Sequence, residues 1–369
     1  MRPGGPGWGM GGSHSGSEGG IFPGMSPRLT LLLVVAGLAC AEASAPLPPP
    51  EEVLLVVNQA PAALTLVPTV APTAGVTITI GGGAAPTGVS ARNGWAIVPT
   101  GAGDAVAVVD LVGRSVVRTV PLAPGSGATG SAIVDDSIAY VGNPGLQSVT
   151  RVNYLTGDTA SVAVGVAPQG LVFTRGKLFV LNGNLVGGVP AGPSWVSVVD
   201  PVTNHLATGV DSILMPGPGN ARASAVAQDG VLYVMNTGPD DGITAGRLSL
   251  IDPVGRTELG SFGGFGAGPG GVATDGADRL YVSSPDEGVM VFDLVARQVV
   301  RGAGNGVVIP GNSAVAVDSD DRVYAVEQGP CDGSTEGSVH ILRRNLTEIR
   351  EVPAGSCAVA ALITEIPPQ

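Results

Sequence analysis

The chain has 369 residues, of which 13% are charged and 4% aromatic, while 58 are glycine and 31 proline. So many helix breakers and turn formers argue against a helical protein, and a hydrophobic fraction of 44% argues against wholesale disorder. The net charge is −12, and Arg343-Arg344 is the sole basic dipeptide in the body of the chain, which excludes the basic stripe that nucleic-acid backbones require.

Residues 1–24 are Gly-rich and patternless, and translation is expected to start at Met25. Met25-Ser-Pro-Arg28 supplies a positive charge ahead of an uncharged apolar run, Leu29 to Ala39, which stops at Cys40. That run is shorter than the roughly 20 residues of a membrane helix and has the shape of a secretory signal peptide. Leu38-Ala39-Cys40 resembles a bacterial lipobox, with Gly37 where Leu or Val is usual. The resemblance implies lipidation of Cys40 and an exported chain in the cell envelope (periplasm, outer membrane or cell surface), tied to the membrane by its lipid alone. Cleavage after Ala43 or Ala45 is the alternative. Residues 41–52, AEASAPLPPPEE, read as a Pro-rich tether. Cys331 and Cys357 then remain as a pair in a compartment where disulfides persist, the alternative being two unpaired thiols. Neither has a neighbouring His, so neither reads as a catalytic thiol.

From Val53 to Ile366 a unit of about 45 residues repeats, the length of a four-stranded propeller blade. Each unit has a Pro/Gly-led apolar strand, a polar turn, an aromatic-apolar strand, a variable loop, a third strand ending in Asp, and a fourth strand after a tight turn. The second strand reads Trp95–Val98, Ile138–Val141, Leu178–Asn182, Leu232–Asn236, Leu280–Ser284 and Val323–Val326. The third reads Val106–Asp110, Val149–Asn153, Val196–Asp200, Leu248–Asp252, Val289–Asp293 and Val339–Arg343. Short β-branched runs between turn clusters are strand signals, and the terminal Asp can hold the following turn. A seventh unit is split. Val53–Asn58, Leu64–Val67 and Val76–Ile80 match strands two to four, and Cys357–Thr364 supplies the missing innermost strand. The pattern predicts an all-β, seven-bladed propeller of four-stranded antiparallel blades, spanning 53–366, whose first blade is closed by the C-terminal strand. A Cys331–Cys357 bridge would pin that closing segment to the last full blade.

Pro168-Gln-Gly-Leu171, Leu178-Phe-Val-Leu-Asn182 and Trp195-Val-Ser-Val-Val-Asp-Pro-Val-Thr-Asn204 resemble the repeat of the YVTN/YncE-like β-propeller family. The resemblance implies the fold and little about function, because such repeats hold blades together. Ser283-Ser284 and Val326-Glu327 replace the usual Thr-Asn, and Arg343 replaces the Asp.

No catalytic constellation emerges. The three histidines are His14 in the leader, His205 at a turn and His340 within a strand, and no metal-ligand set or cofactor motif can be assembled from them. Asp275–Asp278, Asp318–Asp321 and Gly238–Gly242 could offer oxygens to calcium but read as turns, and Gly263–Gly268 reads as a blade connection. The starts of the innermost strands converge on the channel mouth, which places Thr87, Gln169, Arg222 and Asn312 there. Arg222 is assigned the slot of Pro86 and Pro168, where a cation could hold an anionic group or stand solvated at the rim. The insertions Gly183–Pro193 and Gly238–Gly246 enlarge the loops of adjacent blades on one face. The expectation is an envelope-anchored, monomeric binding or scaffold protein for a protein, peptide or glycan, without cofactor. The alternative is a metal-dependent lactonase- or lyase-like enzyme with its active site in the channel.

Overall fold

Val, Ile and Leu recur in short runs between Gly- and Asp-centred turns, and each run forms a strand. The computed structural model describes residues 48–81 and 83–368, which fold as one unit. The leader, the signal-like run, Cys40 and residues 41–47 lie outside the described residues. Among the described residues seven antiparallel blade sheets are present, and six of them pair their strands in sequence order from the innermost outwards. Blade 5 is representative, with Ala221–Val226, Leu232–Asn236, Arg247–Asp252 and Thr257–Phe262. Among the described residues there is no α-helix, only a short 3-10 turn at Pro144–Leu146.

The centre of the second strand of each blade is apolar and buried on both faces, each of which meets a neighbouring blade. Tyr140, Tyr233, Tyr281 and Tyr324 occupy its centre in blades 3, 5, 6 and 7, each 0% exposed. Their hydroxyls reach partners at the edge of the core, as Tyr140 does by donating to Asn204 Oδ1. Burial pushes the Tyr140 and Tyr233 phenols up to about 12, so both stay neutral donors. In the four blades whose third strand ends in Asp, that Asp closes the next turn. Asp110, Asp200, Asp252 and Asp293 each accept the backbone N–H two residues on.

The ring closes as the repeat predicts. Blade 1 has the order Val76–Thr79, Ala62–Pro68, Glu51–Gln59, Ala358–Ile366, so the two ends of the propeller pair in one sheet. Their register runs from Glu51 opposite Ile366 to Asn58 opposite Ala358. The first strand therefore starts at Glu51, taking Glu51 and Glu52 from the segment expected as tether. Cys331 and Cys357 form a disulfide that links the loop between the second and third strands of blade 7 to the start of the closing strand. Blade 4 departs from the plan. Its outer edge is split into His205–Leu206 and Ser212–Met215, and its long insertion folds into a small hairpin of Leu185–Val186 and Val189–Pro190.

Candidate functional site at the channel mouth

Strand register decides what faces the channel. In blade 5 Ala221 lies opposite Asn236 and Ala223 opposite Met235, so Arg222 is an extra residue in a β-bulge. Gln169 in blade 4, Ser313 in blade 7 and Val359 in blade 1 are skipped in the same way. A bulge re-aims a side chain away from the ladder, and here it points a ring of side chains at the axis. Thr87 and Thr129 complete that ring in blades 2 and 3. The innermost strands enclose a cavity of about 250 Å3, to which Thr87, Thr129, Gln169, Arg222, Ser224 and Ser313 present polar side chains.

The hub can be this narrow because the strands touch backbone to backbone. A Cβ on Gly130, whose φ is +59°, would sit 2.2 Å from the Gln169 carbonyl oxygen. One on Gly170 would sit 2.6 Å from that of Arg222. Only glycine fits such an approach.

Most polar side chains of the ring are committed to a neighbouring blade. Thr87 Oγ1 donates to the Ala128 carbonyl at 3.0 Å, and Ser313 Oγ to that of Ala358 at 2.7 Å. Gln169 Nε2 donates to Asn220 Oδ1 at 2.7 Å. Arg222 is different. Its guanidinium has no hydrogen bond and no ion pair among the described residues, and no Asp or Glu lines the cavity. Water reaches its side chain along the channel although protein surrounds it. That encirclement, uncompensated by any counter-charge, lowers its pKa below the ordinary guanidinium value, yet Arg remains protonated in proteins. The Thr129 and Ser224 hydroxyls likewise have no hydrogen-bond partner among the described residues. A chain of net charge −12 thus presents a positive cavity with two free hydroxyls.

The loops rise on the same face. The start of each innermost strand pairs with the end of the second, as Pro168 does with Asn182, so the loops between second and third strands surround the mouth. Asn220 ties them together. Its N–H donates to the Gly183 carbonyl at 2.8 Å, and its Nδ2 to that of Gly238 at 2.9 Å. The two insertions expected from the sequence are joined through the residue that holds Gln169.

Thr87, Gln169 and Arg222 thus lie on the cavity wall. Asn312 does not. It is 0% exposed and donates to the Gly288 carbonyl at 2.9 Å, and Ser313 takes the ring position. Arg222 shares its slot with Gln169 rather than Pro168, whose counterpart is Ala221. Thr129, Ser224 and Ser313 were not expected, because a bulge moves the axis-facing residue by one and the strand alternation hides it. The acidic segments are turns. Asp275 Oδ1 accepts the N–H groups of Ala277 and Arg279, and its Oδ2 accepts Arg344 Nε at 2.8 Å. Asp318 is likewise filled by Asp320, Arg322 and Tyr324, and Asp241 by Ile243 and Thr244. Phe265, itself 0% exposed, anchors the exposed to half-buried Gly263–Gly268 connection. His205 is exposed, its Nδ1 beside the Thr203 carbonyl.

Fold and channel together define a seven-bladed β-propeller with a cationic mouth. No family model matches the chain, and no curated protein matches it in sequence. Among solved structures it is similar to hydrazine synthase of Kuenenia stuttgartiensis at 15% identity and a TM-score of 0.59, covering 76% of this chain and 95% of that one. It is also similar to apo AztD from Citrobacter koseri at 13% identity and a TM-score of 0.54, covering 86% and 99%. Likenesses at such identity concern the fold alone.

Proposed function

We propose that the protein is an exported, lipid-anchored binding protein that takes a small anionic group at the channel mouth, with Arg222 as its charge partner. The observation that carries this is the unpartnered Arg222 guanidinium in a cavity without a carboxylate. A planar fork of donors suits a carboxylate, phosphate or sulfate, free or at the end of a peptide or glycan. Thr129 and Ser224 would add hydroxyl donors, and the joined insertions of blades 4 and 5 would read the rest of the ligand. The cavity wall has no carboxylate, imidazole or thiol to ligate a metal or move a proton, which favours binding over chemistry in the channel. Export is supported by the Cys331–Cys357 disulfide, and no helix among the described residues is long and apolar enough to cross a membrane. Attachment through Cys40 rests on the lipobox-like sequence, and mass spectrometry of the mature N-terminus tests it. A diacylated or triacylated Cys40 is expected, and a free N-terminus at another residue contradicts the anchor.

The binding test uses calorimetry with inorganic phosphate, sulfate and small dicarboxylates on the wild type and on Arg222→Gln. The wild type is expected to bind at least one class of anion and the variant none. Equal binding by both proteins would reject the assignment.

A further inference from the structure

One asparagine recurs in four blades. Asn58, Asn143, Asn182 and Asn236 end the second strand and donate to Thr65, Thr150, Ser197 and Ser249 on the third, at 2.9, 2.8, 2.9 and 3.1 Å. These neutral pairs are buried. Blade 7 puts Glu327 and His340 in the same two positions, since Ala325 opposes His340 as Val180 opposes Ser197. His340 Nε2 lies 3.3 Å from Glu327 Oε2. Its Nδ1 lies 2.9 Å from Glu348 Oε1 on the outer strand Glu348–Gly355. Glu351 is the direct cross-strand partner of His340. Glu348 and Glu351 are three apart and would face opposite sides of a regular strand, but the register shift at Ile341/Leu342 brings Glu348 to the His340 side.

We propose that His340, Glu348 and Glu351 form a site for one divalent transition metal of the zinc class, on the outer rim of blade 7, with Glu327 as a positioning residue. Four features support it. The three donor atoms lie within 4.8 Å of one another. Tetrahedral zinc needs its ligand atoms roughly 3.3 Å apart, given bonds of about 2.0–2.1 Å, and Glu348, with 53% of its side chain exposed, is free to close that gap. The second ring nitrogen already faces a carboxylate, the arrangement that orients a metal-bound histidine. None of the three glutamates has a Lys or Arg ion-pair partner among the described residues, so three carboxylates share one imidazole, and a dication would neutralise them. Ser338 Oγ also donates to Glu351 Oε1, holding that carboxylate beside the ring. One nitrogen and two carboxylate oxygens suit zinc or cobalt(II), whereas calcium takes oxygen ligands alone. A water would complete the sphere. The site lies on a blade rim and is independent of the channel.

The experiment uses residues 41–369 without a polyhistidine tag, stripped with chelator, with Zn2+ followed by calorimetry and Co2+ by its visible absorption. The wild type is expected to bind one equivalent of Zn2+, with millimolar Ca2+ failing to compete, and Co2+ should give the intense bands of low coordination. His340→Ala and Glu351→Gln should abolish binding, and Glu327→Gln should weaken it about 10- to 100-fold. Glu351→Gln alters an exposed side chain, so it keeps the test valid if His340→Ala folds poorly. Absence of Zn2+ binding by the wild type overturns the proposal, and so does undiminished binding by Glu351→Gln. In either case His340 is a hydrogen-bonded link between blade strands.

Discussion

The closing side of the ring, at blades 7 and 1, and the mouth at blades 4 and 5 use their unusual residues in opposite ways. At the closing seam the groups that join the two chain ends are spent inside the chain. Cys331 is bonded to Cys357, the Ala358 N–H donates to Gln328, and Ser313 reaches Ala358 across the blade boundary. At the mouth the loops are longer, and Asn220 and Gln169 are committed, but the side chains of Arg222, Thr129 and Ser224 have no hydrogen-bond partner among the described residues. Polar groups satisfied within the protein hold structure, and those left open beside the cavity are the ones we propose to take a ligand. The same contrast separates the buried Asn–Ser/Thr pairs of four blades from the charged cluster that replaces them in blade 7.

The largest expected effect is at the closure. Removing residues 357–369 deprives blade 1 of its innermost strand and leaves Glu51–Gln59 unpaired on one edge, so the truncated chain is expected to lose its cooperative unfolding transition. Survival of that transition in a denaturant titration would show that the pairing is dispensable. Replacing both Cys331 and Cys357 by Ser opens a link across 26 residues and should cost about 3 kcal/mol in the same titration. Gly130→Val puts a branched side chain at φ +59° and against the Gln169 carbonyl, and should cost at least about 2 kcal/mol. Asn182→Ala orphans the Gly165 N–H and Ser197 and should cost about 1–3 kcal/mol, whereas an exposed change such as Val202→Thr should stay within about 0.5 kcal/mol.

The smallest effect is that of pH. N–H groups of Gly127 and Gly125, with the Ser126 hydroxyl, hold the Asp104 carboxyl below its ordinary pKa, and Lys177 does the same for Asp200. Depressed carboxylates stabilise the fold above their unfolded pKa of about 3.9 and lose that contribution as pH falls through the folded value. The melting temperature should therefore be flat near neutrality and fall below about pH 4. Asp104→Asn should reduce the acid-dependent part, and an unchanged profile would show that the hydrogen bonds seen at Asp104 carry no linkage.

The sequence made the closure more legible than the mouth, for a physical reason. Strands and their order follow from apolar runs and turn residues at a fixed period, and the disulfide follows from the two cysteines left once Cys40 is assigned to the signal sequence. Even the split first blade could be read, because Val53–Asn58 carries the same Asn as its counterparts. The channel wall depends instead on a one-residue bulge. It placed Arg222 and Gln169 at the axis but buried Asn312 and turned the half-buried Ser313 to the cavity, and no residue type announces that shift. The blade 7 rim was hidden differently. Glu327 was visible as a departure from the repeat, but His340 and the outer-strand glutamates meet it only through cross-strand register.

The free Arg222 guanidinium is the group proposed to make the channel mouth an anion site. The most direct measurement of that role is the melting temperature of the wild type and of Arg222→Gln across a series of phosphate and dicarboxylate concentrations at constant ionic strength. The account predicts that the wild type rises with ligand while the variant, equally stable without ligand, stays flat. An equal rise in both proteins would contradict it.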